Sequence, residues 1–489
     1  MPRKRKHKLL QLVLMGAILL AGILSIRTLS YTSRQIRVTP ESIPAMDPAA
    51  AERLAQALRF PTISLQPIDS QAFLSLDTFL AGNFPLSDSL LHRHTIAGLS
   101  TILEWPGKQA ALDPILLLAH KDVVPPDSGS LHRWTYPPFA GTRAEQSVWG
   151  RGAIDDKGSL LAIMEAVEIL LKEGYQPNRS IWFAFGHDEE TGGSEGAAAM
   201  ARWFADKNIT FEYILDEGML LVEDGGGGIQ QPLAVIGIAE KGMLTLKLQA
   251  ITEGGHSSRP PKETAVGMLA EAIYKLQENP FPARLDGATR LMLEYIGPET
   301  KMPEKIAFAN LWLSKNLIIN QLEKNPGTNA MLRTTIAPTI FKAGVKSNVL
   351  PAQAEAFVNF RILPGDTPES VTERVKKIVD NPGVSISVHD TEDHTPPSPV
   401  SSTETLGFRV IEKTIREIFP DAVVAPGLVI AGTDSKHYHD LARGTYRFMP
   451  LSLKNEELSQ FHGNDERITE EDYADMIHFY RQLILNSAK

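Results

Sequence analysis

Three apolar runs in this chain end on residues that can hold a metal ion. "PILLLAH" (114–120) ends on His120, with Asp122 just beyond; "SIWFAF" (180–185) runs into His187-Asp188-Glu189-Glu190; "FEYILD" (211–216) ends on Asp216, followed by Glu217. Between the first two lies "WGRGAIDDKGS", with Asp155 and Asp156 adjacent in a glycine-rich loop. Continuous apolar runs of this kind read as strands buried on both faces of a parallel sheet, and ligands gather outside the carboxyl ends of such strands. The acids therefore converge on one sheet edge. Left uncompensated there, they shift one another's pKa values and destabilise the fold. A bound dication removes the repulsion, and histidine with carboxylate is a ligand set for zinc. Taken singly, "HxD" is usually chance, a Glu-Glu pair a helix start and "DDKG" a turn; their shared position at strand ends is what points to metal.

The elements that position them follow from the periodicity. "SLLAIMEAVEILLKEG", between the first two strands, has apolar residues at helical spacing and stops on Gly174, a C-cap residue. Strands alternating with helices predict an α/β domain with a mostly parallel central sheet and flanking helices, over 49–242 and 391–489. After Gly242 the pattern changes: "TLKLQAITE" and "AEAFVNFRILP" alternate like half-exposed strands, and "TAVGMLAEAIYKLQE" and "ESVTERVKKIVD" are amphipathic. An inserted α+β unit, roughly 243–390, serving as a lid or dimerisation module, is expected. Residues 280–340 show scattered Pro and no clear period; Gly225–Gly228 reads as a flexible turn.

With 489 residues the chain is long enough for two or three domains. Its net charge of −9 and the lack of a basic face beyond the N-terminus argue against a nucleic-acid partner. It has no cysteine, which excludes disulfides, thiol nucleophiles and Cys-ligated metals. The N-terminus stands apart. "MPRKRKHK" (1–8) carries five Lys/Arg, and Leu9–Ile26 is almost wholly apolar, near the minimum for spanning a bilayer. A basic cytoplasmic tail, a transmembrane signal anchor over 9–26 and a Pro-containing tether over 27–48 are expected, with a cleaved signal peptide as the alternative. Either outcome puts the body outside the cytoplasm, membrane-anchored or secreted.

"LLLAHKDVVP", "WGRGAIDDKGSL", "FGHDEETGGSEGA", "ILDEG", "GGHSSRPP", "NFRILPG", "GTDS" and "FHGNDERI" occur in the order and approximate spacing of one group. Over residues 50–489 the chain resembles the acetylornithine deacetylase, succinyl-diaminopimelate desuccinylase, aminoacylase and carboxypeptidase S family of zinc metallopeptidases. "GGHSSRPPKET", "FKAGVKSNVLP" and "FHGNDERI" are most similar to its carboxypeptidase S and N-acyl-amino-acid hydrolase branch.

The resemblance implies a zinc-exopeptidase-like fold and two zinc ions per chain. On the matching positions, His120 would ligate one zinc and His462 the other, with Asp155 bridging; Glu190 would ligate one, and Asp216, with Glu217 as the alternative, its partner. Asp122 would hold the His120 ring in one tautomer, and the Asp155–Asp156 peptide would be cis. Glu189 would be the general base, and His256, from the inserted unit, would hydrogen-bond the oxyanion, in some relatives across a dimer interface. Arg361 and Asn348 would clamp a substrate carboxylate; Gly432 and Thr433 would contact the substrate near its tail. His437 and His439 do not fit family spacing and read as surface or supporting residues.

The expected activity is hydrolysis of an amide that releases a free amino acid: carboxypeptidase action on small peptides first, N-acyl-amino-acid hydrolysis as the alternative. A metal-free pair of carboxylates, as in glycosidases, would leave the histidines and "DDKG" unexplained. A non-catalytic binding ectodomain would be expected to have lost the base or a ligand, and none is missing.

Overall fold

The computed structural model describes residues 2–41, 47–389 and 394–488, with the side chains of 2–6 excepted. The side chains of residues 1–6 of the basic tail, part of the tether and the 390/391 boundary thus lie outside what is described. The first helix, α1 (Pro2–Leu29), contains a 23-residue largely apolar stretch, His7–Leu29, exposed over most of its length, with Leu24 half-buried and Thr28 buried.

The main body is built on a ten-stranded sheet. At its centre, β1 (Ile115–His120), β2 (Ile181–Gly186) and β3 (Tyr213–Asp216) run parallel, and every one of their residues is buried. Two-sided burial explains why these segments are apolar without alternation. Strand 445–447 continues the parallel run beyond β3, while 92–96 and 100–105 add antiparallel strands at the opposite edge. The register sets His120 beside Gly186 and Leu117 beside Leu215, so three carboxyl ends lie together. Helix α2 (Lys157–Lys172) packs nearly all its residues into the core and ends before Gly174, whose φ of +71° only glycine adopts freely.

The second sheet has four antiparallel strands. Its centre is β4 (Gly242–Ile251) paired over its whole length with β5 (Gln353–Ile362), flanked by 335–343 and 384–388. Helices 265–278 and 368–379 cover one face around Leu244, Leu246, Val358 and Phe360. The insert is not continuous, however. Leu285, Leu293, Ile296, Ile318 and Leu332 belong to the core of the large sheet, not the small one. The expected 243–390 unit is thus interrupted by short helices, including Gly287–Ile296, α3 (Glu304–Ala309) and α4 (Leu311–Leu322). Pro298 and Pro303 separate the first two and Asn310 the last two, which breaks the periodicity before a face can repeat.

The described part of the tether is docked on the body. The Tyr31 hydroxyl donates to Leu293 O (3.0 Å), Arg34 pairs with Glu294 (3.0 Å), and Gln35 bonds both backbone groups of Val424 at 2.8 and 2.9 Å.

Candidate active site

The strand-end acids and histidines meet at one edge of the large sheet. His120 Nε2 lies 2.9 Å from Asp155 Oδ1, and the other Asp155 oxygen lies 3.0 Å from His462 Nε2. His462 Nε2 is 3.4 Å from Glu190 Oε2, and His120 Nε2 is 3.8 Å from Glu217 Oε1. Asp155 thus sits between two imidazoles, each with a second carboxylate. Ligand atoms of His120, Asp155 and Glu190 fall within 4.8 Å of one another, as do those of His120, Asp156 and Glu217.

Asp122 organises this edge. Its Oδ2 accepts from the Ser64 hydroxyl (2.7 Å) and Glu190 N (3.1 Å), and its Oδ1 accepts from Glu189 N (3.1 Å) and lies 3.3 Å from His120 Nδ1. The Asp122 backbone oxygen, 3.0 Å from His120 Nδ1, shares in holding the imidazole, and the buried carboxylate fixes the turn carrying the two glutamates. Glycine at 193 closes that turn, since a Cβ there would come within 2.3 Å of Asp434 Oδ1.

The two acids at the end of β3, Asp216 and Glu217, are placed differently. The Asp216 carboxylate accepts from Ser435 N (2.7 Å) and Glu217 N (2.9 Å) and is committed to the backbone. Glu217 is the acid that approaches His120 and lines the cavity. The Asp155–Asp156 peptide is cis.

Charge distribution suits a cation. Burial alone would raise Asp155, but hydrogen bonds with His120 and His462 hold it below the ordinary carboxylate range. Burial, reinforced by the Asp155 and Asp216 charges, pushes Asp156 up to about 8. Burial and then neighbouring carboxylates hold Glu189 and Glu217 well above normal. Hydrogen bonds with Asp155 and Glu190 raise His462 to about 10. The buried Oδ1 of Asp156 has no hydrogen-bond partner. Acids this close together need a positive charge among them, and the donor set fits a bound metal.

Two groups that went unassigned in the sequence hold the site together. Glu466, fully buried, accepts from Gly152 N, Ile154 N and Asp155 N at 2.8–3.1 Å and pairs with Arg151 at 2.6 Å. Arg151 also donates to His462 O and Gly463 O, on a loop where His462 has φ +57°. Their pairing fixes the two ligand loops to each other. Both residues stand in quoted motifs with opposite charge, but nothing in the sequence pairs them. Likewise Arg447 and Glu240, both buried, meet at 2.5 Å and hold Thr433 and Ser435. The Thr433 hydroxyl and backbone N–H are therefore both engaged by Glu240, at the place where Gly432 and Thr433 line the cavity.

A cavity of about 530 Å³ opens over Asp155, Glu189, Glu190, Glu217 and His462, and its far wall is apolar: Met219, Leu220, Val222, Val235, Val429, Ile430, Leu458 and Phe461. Gly432 lines this space and also a smaller one of about 220 Å³ with Arg361, Lys241, Lys436, His437 and His439. His437 reaches Gly192 O at 3.0 Å, behind the Glu189–Glu190 turn. His256 and Asn348 are not brought to the site. They are exposed neighbours on a two-stranded pairing, with the His256 ring held by Ser258.

Comparisons with known proteins bear on the family and the fold. The profile of peptidase family M20/M25/M40 matches residues 116–486. A probable carboxypeptidase S-like 2 of Dictyostelium discoideum is 41% identical over 99% of this chain and 95% of its own length. The N-fatty-acyl-amino acid synthase/hydrolase PM20D1.1 of Danio rerio is 36% identical over 98% of this chain and 95% of its own. Among solved structures, the metallo-carboxypeptidase Sso-CP2 of Sulfolobus solfataricus, 20% identical, superposes with a TM-score of 0.65 over 90% of this chain and 100% of that one.

Proposed function

The chain belongs to peptidase family M20/M25/M40, and from that premise, with a metal-dependent hydrolase as its class, we propose that it cleaves N-acyl amino acids with long apolar acyl groups. The observation that carries the substrate choice is the apolar wall running from Met219 to Phe461 directly off the acid cluster. A small peptide would leave that wall wet; an acyl chain would cover it.

Zinc is the metal that the donor set favours, one ion held by His120, Asp155 and Glu217 and a second by His462, Asp155 and Glu190. Bound there, the pair would supply Lewis acidity toward the scissile carbonyl and a water acidic enough to attack at neutral pH. The remaining roles fall to the chain's own groups. Glu189, next to the ligands but not needed as one, accepts a proton from the attacking water and returns it to the leaving nitrogen, so that acid and amine are released together. Asp122 keeps the His120 ring in place. The amino acid's carboxylate would enter the smaller space, where Arg361 offers a fork and Lys436 a second charge. His256 and Asn348 would join only through closure of the small-sheet unit or from a second subunit. The apolar α1 would anchor the chain, with the body outside the cytoplasm.

The test is hydrolysis by the full chain in detergent, with zinc or with chelator, on a panel of long-chain N-acyl amino acids and dipeptides, with Glu189→Gln as control. Zinc-dependent turnover of the acyl substrates over the peptides is expected. Preference for the peptides would make the chain a carboxypeptidase and the apolar wall a side-chain pocket.

A further inference from the structure

The anchor leaves almost no slack between membrane and body. Its apolar run, Leu9–Ile26, has 18 residues and so reaches only about 27 Å along a helix, against a hydrocarbon core of roughly 30 Å. Contact with the body begins inside that run. Leu24 is already half-buried, Thr28 is buried and 3.4 Å from Asn310, and Arg27 donates to Ala309 O. The chain then docks at once through Tyr31, Arg34 and Gln35, so no flexible stalk is available. Whatever surface surrounds Arg27 must sit at the bilayer's edge.

That surface is α4. Its inner face packs through Ile318 with Ile319 and Leu322. Its outer face leaves Trp312, Leu313 and Leu317 exposed by 56, 55 and 68%, and the helix carries no acidic residue. Trp312 and Lys315 border an open cavity of about 690 Å³ together with Arg27 and Arg34 of the anchor region and Arg290. Glu294, the acid there, is paired with Arg34 and Arg290. Tryptophan, leucines and four cations to one acid at the foot of a spanning helix match a headgroup layer, in a chain whose net charge is −9.

We infer that the outer face of α4 is seated in the leaflet on the body's side, so that the enzyme lies on the membrane rather than standing off it. This rests on α1 being inserted, and not on the substrate assigned to the site. The experiment uses the full chain reconstituted in phosphatidylcholine vesicles containing brominated acyl chains, read by tryptophan fluorescence. Trp312 is the exposed one of six tryptophans, and α1 has none. The expected result is co-flotation, with bromolipid quenching in the wild type that is lost in Trp312→Phe and weakened in Leu313→Glu/Leu317→Glu. A chain that floats but shows no quenching, or the same quenching in Trp312→Phe, would overturn the seating and leave the face for a protein partner. A chain that fails to float would overturn both the seating and the anchor, while hydrolysis in detergent still reports on the active site alone.

Discussion

The carboxyl edge of the large sheet and the two-stranded pairing of 255–256 with 349–350 carry the two halves of the expected machinery, and they are built in opposite ways. At the edge, each functional group has a second partner: Asp122 for His120 and the glutamate turn, Glu466 for Asp155 N, Arg151 for the His462 loop. On the small-sheet unit, His256 and Asn348 are exposed, and nothing aims them at the cavity. Groups that hold charge permanently must be fixed before substrate arrives, because a loose buried charge is costly. Groups that act only on a bound substrate can wait on the surface. The largest effect should therefore come from the fixed edge. Glu189→Gln is expected to lower kcat by about 10²–10⁴-fold while leaving zinc content unchanged by metal analysis. Loss of metal instead would make Glu189 a ligand and undo its role as base.

The second effect tests the loose half. His256→Ala should leave zinc content and Tm as they are, since the side chain is exposed, yet lower kcat by about 10²–10³-fold if the small-sheet unit or a second subunit delivers it to the oxyanion. An unchanged kcat would make His256 a surface residue and confine the active site to one edge. Asp122→Asn tests the fixed half at smaller scale. It cannot accept from the Glu189 and Glu190 amides with both oxygens, so zinc affinity should fall by about 10–100-fold in a chelator competition, with kcat of the loaded enzyme much less affected.

The fixed edge was also the legible half. An apolar run that ends on His120, or that drives Phe185 into Glu189 and Glu190, announces a strand and its functional end together. The different surroundings of Asp216 and Glu217 were not legible, because successive side chains at a strand end point to opposite sides and only the fold shows that Ser435 N donates to Asp216. Nor could the Arg151–Glu466 pair be read, with its partners on loops from the two ends of the chain. Residues 285–332 hid for a third reason. Helices as short as Glu304–Ala309 cannot repeat an apolar face, so they gave no sign that they return to the large sheet's core.

The smallest effect concerns pH and belongs wholly to the fixed edge. In the stripped protein, burial raises Asp156 from 3.8 to about 8, so folding takes up a proton and stability falls as pH rises across that interval. Hydrogen bonds raise His462 from 6.5 to about 10; its contribution is complete below 6.5 and is lost as pH climbs toward 10. Both slopes have one sign, while burial lowers Lys157 and Lys241 to about 7 and tilts stability the other way above that pH, so metal-free stability should decline between about pH 4 and 7. Zinc binds the deprotonated groups, so its stabilisation grows over the range in which Asp156 and His462 titrate. Glu412 and Asp472, raised to about 7 by burial away from the site, tilt both curves alike. The difference therefore isolates the edge: the Tm gap between zinc-loaded and stripped protein should widen by on the order of a few °C from pH 6 to 8 in thermal melts. His256→Ala should leave that widening intact, whereas Asp156→Asn should reduce it. A gap that stays constant with pH would mean that protons are not what replaces the metal among these acids.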